Sequence, residues 1–347
     1  MNKLVWSHEK FAIDENMVWF VPYYSSVLCG FDLDKREIVK VKMLDGEGDR
    51  RDGYLNVLKV GNYIVLIPSY GEKFIIYHIV DENTYTYPPS ESSTGKYFQA
   101  VVVGAKIVVL PIGAESVVEI TIDGDEEPRF KEIPTKVNGF VGSALFGEKI
   151  YCVKRDDGLY EYESNGTFTK VKMVDGKVFT DIACVNNNEM FVLDAEGDIY
   201  IYSGKDKTFT QWLSLDYSCH SMAVSNNRMF VFPEKDATFI DAISIETGKR
   251  SRQELDIEMP MQEWNLHFFS KAVFSRGKVF AMSPKIQALV EIDSVTNAVS
   301  LYYMEFPELA YEEKMKLLKD GLKIGAVIES IVTDVDLSFY ISALPYI

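Results

Sequence analysis

The sequence predicts an all-β fold: a seven-bladed β-propeller of four-stranded antiparallel blades, followed by a short C-terminal α-helical tail. Two observations predict it. A short apolar segment that ends abruptly, usually at proline, recurs as VWFVP (18–22), IVLIP (64–68), IVVLP (107–111), IYCVK (150–154), MFVLD (190–194), MFVFP (229–233) and VFAMS (279–283). The ends of these segments lie 46, 43, 43, 40, 39 and 50 residues apart, a period that suits one propeller blade. Each segment also keeps the same neighbours, which makes chance recurrence a poor explanation.

Within each unit the elements follow one order. An apolar first strand leads into a tight turn, at Gly61-Asn62, Gly104-Ala105, Gly147-Glu148, Asn187-Asn188, Asn226-Asn227 or Arg276-Gly277. Gly and Asn tolerate the positive φ of two-residue hairpins, so the recurring segment is the second strand of an antiparallel pair. A polar loop of a few residues, such as 69–72 or 195–198, precedes an alternating third strand, for example FIIYHIV (74–80), IYIYS (199–203) or LVEIDS (289–294). A further turn, such as 246–249, leads to a more polar fourth strand like AVSLYYMEF (298–306). One such sheet buries neither face alone, whereas a ring of seven buries both. The propeller is expected over residues 1–306, with blades starting near 8, 54, 97, 140, 179, 217 and 268. Lys3 to Trp6 is the candidate ring-closing strand. In the segment 307–347, Tyr311, Met315, Leu318 and Leu322 recur at helical spacing, predicting an amphipathic helix over 308–321. The apolar stretch after it is expected to pack on the propeller or on a partner, with a homodimer contact as one outcome.

The third-strand ends ISIETGKR and VEIDSVTNAVS resemble kelch-type and quinoprotein-type propeller repeats, in which a strand runs into a Thr-Gly turn. The resemblance spans residues 8–306 and implies the propeller fold. It departs from the familiar subfamilies in having no Gly-Gly doublet after the second strand, no Trp-Asp pairs and only four tryptophans. It therefore implies no particular cofactor or substrate, and no cofactor is expected.

Composition narrows the function classes. The chain has 347 residues, with 52 Asp and Glu against 36 Lys and Arg, a formal charge of −16. This balance argues against nucleic acid, whose binding rests on a positive field and counterion release. Ser7 to Lys10 interrupts the apolar run that a secretory leader would need, and no stretch is long and apolar enough for a bilayer span. Cys29, Cys152, Cys184 and Cys219 are far apart, without metal-ligand spacing, as expected for reduced thiols in a cytoplasmic protein.

A site is expected on the face that carries the inter-blade loops and the second-to-third-strand loops. The longest inter-blade loops, 45–56 and 259–271, hold Arg50, Arg51, Tyr54, Trp264 and His267, with Asp49, Asp52 and Asn265 among them. Asn56, Gln99, Ser221 and Lys271 are read as equivalent positions two residues into the first strands, where inward side chains would line a polar channel mouth. Tyr70 and Tyr97, with Tyr23, Tyr24 and Trp264, offer flat contact surfaces. His220 beside Asp181 supplies the elements of an acid–base pair, but no nucleophile with a specific signature accompanies it, so no catalytic residue is assigned. The acidic loops 156–158 and 194–198 resemble fragments of calcium loops without the full oxygen set, so turn chemistry is the expected role and no metal is assigned. The leading expectation is a non-catalytic interaction module. It would bind a protein or peptide with a basic patch, or a small polar ligand, around the channel. The competing one is a lyase or hydrolase acting on a polar or carbohydrate-like substrate at the channel mouth. That activity would require ionisable side chains within hydrogen-bond reach of one another.

Overall fold

The computed structural model describes residues 10–304 apart from 23–26, 45–52, 91–95, 125, 173, 175, 187, 226, 236–237, 258–267 and 287. It forms seven four-stranded antiparallel sheets, each made of four consecutive strands, covering 12–43, 54–87, 97–134, 140–172, 179–214, 219–254 and 273–303. The recurring apolar segments are the second strands, from Met17–Phe20 to Lys278–Ser283, and they are almost wholly buried. The expected ring-closing strand and C-terminal helix lie outside the described residues.

The reason for the ring is visible in the packing. The buried apolar side chains fall into seven clusters, and each cluster draws on two adjacent blades. Trp19 packs with Val57 between blades 1 and 2, Phe191 with Met229 between 5 and 6, and Phe31 with Phe280 between 7 and 1. Blades 7 and 1 thus close the circle by the same face-to-face packing that joins the others. Each strand alternates its side chains between the two faces of its sheet, so one strand feeds two clusters.

A polar pair is repeated at the edge of three interfaces. Lys106 reaches Glu119 at 3.1 Å, Lys149 reaches Glu161 at 2.5 Å and Lys278 reaches Glu291 at 2.7 Å, each from the second strand to a third-strand carboxylate. The lysines stay exposed, whereas the Glu119 and Glu291 carboxylates they reach are buried.

Among the described residues, the first-to-second-strand turns of five blades begin with a left-handed residue. Gly61 (φ 54°), Gly104 (61°) and Gly147 (64°) hold this place in blades 2, 3 and 4. Blades 1 and 7 hold Glu15 (φ 47°) and Arg276 (53°) there instead. A left-handed conformation costs a residue with a Cβ about 1–2 kcal/mol, so these two turns carry strain that their counterparts avoid.

Candidate functional site

The first strand of each blade is the innermost, and its geometry decides what the channel-mouth residues can do. Side chains stand perpendicular to a sheet. In a radial sheet they therefore point sideways at the next blade, and the strand turns its backbone edge to the axis. Asn56 Nδ2 accordingly donates to Phe98 O of the next blade at 3.1 Å, and Gln99 Nε2 donates to Val141 O at 2.8 Å. Asp181 Oδ2 accepts from Met222 N at 3.0 Å, and Ser221 Oγ accepts from Ala272 N at 2.8 Å. Lys10 N donates to Leu55 O at 2.9 Å. These bonds form an inner belt that ties neighbouring blades together near the loop-rich end of the channel.

Blade 7 departs from the expected register. Its counterpart to Ser221 is Ser270, whose N–H and hydroxyl engage Met282 O and N, and Lys271 lies one residue further on. Lys271 is 3% exposed. Its ammonium reaches across blade 6 to blade 5, donating to His220 O at 2.9 Å and Thr180 O at 2.8 Å and lying 3.3 Å from Asp181 Oδ1. From the other side, Lys10 Nζ crosses to Gln99 Oε1 at 2.8 Å. Ser143 Oγ donates to the same oxygen at 3.3 Å. Beside these groups lies a cavity of about 270 Å³, lined by first-strand residues of blades 4 to 7 and by Lys10.

The remaining candidates separate by burial. Tyr54 and Tyr97 belong to blade-interface cores, their hydroxyls engaging Lys73 O and Ser116 Oγ, both at 2.9 Å. His220 is buried, and Tyr70, at 41% exposure, presents its ring to solvent. Arg50, Arg51, Trp264 and His267 lie outside the described residues, as do Tyr23, Tyr24, Asp49, Asp52 and Asn265. Sequence reasoning missed Lys10 and Ser143 as channel residues; Lys10 sits just before the first strand, where no repeat pattern marks it.

Both Asp181 oxygens are engaged, by Lys271 and by Met222 N. Burial pushes all four cysteine thiols up, Cys184 to about 11, so thiolate is scarce at neutral pH.

Two second-to-third-strand loops of the same face, in blades 4 and 5, are ionic turns. In blade 5 the carboxylate oxygens of Asp194, Glu196 and Asp198 lie within 4.8 Å of one another. Lys177 Nζ sits among them at 3.1, 2.7 and 2.7 Å. Asp194 Oδ1 also accepts from Glu196 N and Asp198 N at 3.0 and 2.8 Å, fixing the turn. The lysine thus supplies the positive charge that these oxygens would otherwise offer to a cation. In blade 4, hydrogen bonds from Lys170 and Tyr160 hold the Asp157 carboxyl down to about 2. A depressed carboxyl pKa contributes stability above the unfolded value of about 3.9, and that contribution is lost as pH falls toward 2. Asp157 is 35% exposed, so solvent screening reduces the effect. We expect Asp157→Asn to lower stability by about 1 kcal/mol at pH 7 and to leave it nearly unchanged near pH 2, as read by urea unfolding at the two pH values.

No family model and no curated protein sequence matches the chain. Solved structures do. A catalytically inactive virginiamycin B lyase from Staphylococcus aureus with quinupristin superposes with a TM-score of 0.68 and 10% identity, over 84% of this chain and 96% of that one. Hsv2 from Kluyveromyces lactis gives 0.57 and 9%, over 87% and 98%. AztD from Citrobacter koseri gives 0.52 and 12%, over 85% and 86%. At these identities the likeness is one of fold, the seven-bladed β-propeller.

Proposed function

We propose that this chain is a non-catalytic interaction module that binds a protein or peptide, or a small polar ligand, on the loop-rich face around the channel. One observation carries the reading. The polar groups that would have to do chemistry at the channel mouth, Asn56, Gln99, Asp181, Ser221 and Lys271, are committed to bonds between blades. A rigid ring whose inner groups are spent on holding it together leaves recognition to the loops above it, where Tyr70 is exposed. The formal charge of −16 favours a partner with a basic patch and disfavours nucleic acid. The four free cysteines suit a reducing compartment, and we place the protein in the cytoplasm. Among the described residues no helix is long and apolar enough to cross a membrane.

A lyase or hydrolase acting in the axial cavity is the alternative, favoured by the cavity itself and by the fold likeness to a lyase. Capture of partners from the native cell with the full chain as bait, beside a turnover screen on lyase and hydrolase substrates, separates the two. The module reading expects a saturable partner whose capture falls as salt is raised, with no turnover. Turnover without a partner would overturn it.

A further inference from the structure

The opposite face carries a pocket where blades 7 and 1 meet. Its frame is the pair of strained turns, Glu15 from blade 1 and Arg276 from blade 7, which hold opposite charges where blades 2 to 4 hold glycine. Residues kept in an unfavourable conformation persist where the surroundings fix them, and such positions gather at ligand clamps. Here the fixing group is Asn16. Its Oδ1 accepts from Arg276 Nη1 at 2.8 Å and its Nδ2 donates to Asp34, so one amide orients a guanidinium from blade 7 and a carboxylate from blade 1.

The space between them measures about 200 Å³. Ile13, Leu33 and Phe280 supply apolar lining. Lys278 and Tyr302 also line it but are engaged by Glu291. What remains is the rest of the Arg276 fork, the Glu15 carboxylate, which makes no ion pair among the described residues, and the outer oxygen of Asp34. Positive and negative groups facing one small, partly apolar space match a zwitterion with an apolar body.

We propose that this pocket binds a free α-amino acid with an aliphatic side chain. Its carboxylate would meet Arg276 in a charge-assisted bond, its ammonium would meet Glu15 and Asp34, and its side chain would lie on Ile13, Leu33 and Phe280. The volume suits a ligand of leucine size and excludes the larger cofactors that fill wider pockets. The ligand grips both sides of the ring closure, so binding stabilises the closed ring.

Calorimetric titration of the full chain with L-leucine tests this, alongside 4-methylpentanoate, which lacks the ammonium, and 3-methylbutylamine, which lacks the carboxylate. We expect a dissociation constant on the order of 1 mM for leucine, with both single-charge analogues weaker by about tenfold or more. Glu15→Gly and Arg276→Gly suit the left-handed turn, so both variants should fold. E15G should weaken leucine about tenfold and leave 4-methylpentanoate unchanged, whereas R276G should weaken both ligands. The proposal is overturned if leucine shows no saturable binding up to about 50 mM, if an analogue binds as well as leucine, or if both variants keep wild-type affinity. Should either variant fail to fold, the analogue series on the wild-type chain decides.

Discussion

Replacing Gly197 with alanine is expected to destabilise the protein by about 3 kcal/mol or more, enough to abolish folding if the native margin is small. Gly197 lies in the second-to-third-strand loop of blade 5 with φ 94°. An added Cβ would stand 2.2 Å from Tyr217 O and 3.2 Å from Leu215 Cβ. The backbone cannot simply retreat, because Gly197 O accepts from Leu215 N at 3.1 Å and Gly197 N donates to Asp194 O at 3.2 Å. Backbone strain and collision with a carbonyl therefore add. Gly61→Ala separates the two effects, since its left-handed position meets nothing within 4 Å. It should cost only about 1 kcal/mol. Denaturant unfolding of both variants checks the difference, and equal losses would show that the contact with Tyr217 relaxes freely.

Lys271→Met is the second large effect. The methionine keeps an unbranched apolar stem but removes the ammonium that joins blades 5, 6 and 7. Thr180 O and His220 O then lose a donor, and Asp181 keeps only its bond from Met222 N. Breaking a buried pair by deleting one partner costs about 3–5 kcal/mol. Asp181 retains some solvent contact, so we expect about 3 kcal/mol, seen as a melting temperature lower by about 5 °C for a domain of this size. Adding Asp181→Asn should recover part of the loss, because the stranded charge is removed with its partner. If the double variant lost the sum of the two single losses, the two residues would not be acting as a pair.

The blades were legible in the sequence because each second strand couples a continuous apolar run to a turn on one side and an abrupt polar stop on the other. Pro68, Pro111 and Pro233 end such runs in the structure as they do in the pattern. The inner residues were legible only as a repeat. Asn56 and Gln99 do occupy equivalent places, but a linear pattern gives the period of side-chain alternation and not whether a face looks at an axis or at a neighbouring sheet. Radial packing has these side chains bond to the next blade, while Asp181 and Lys271 of the same belt also line the cavity. Lys271 was misaligned by one residue because the regular first strand of blade 7, Val273–Ser275, is short and begins after it. The repeated Lys106–Glu119, Lys149–Glu161 and Lys278–Glu291 pairs were present in the repeat, at spacings of 12–13 residues, and aligning the second and third strands column by column would have exposed them. The same alignment marks Glu15 and Arg276 as the odd residues in a column otherwise suited to glycine or asparagine.

We propose that the polar residues around the channel serve to hold the blades together. Residue-resolved labelling of the intact protein with an amine-reactive reagent, read by mass spectrometry, tests it directly at Lys271. Lys271 should label far more slowly than the exposed Lys35 and Lys149, whose side chains are 61% and 60% accessible, because its ammonium is buried and bonded to three acceptors. Labelling of Lys271 as fast as those two, or faster, would reveal an accessible and activated amine and rule out a purely structural role for it.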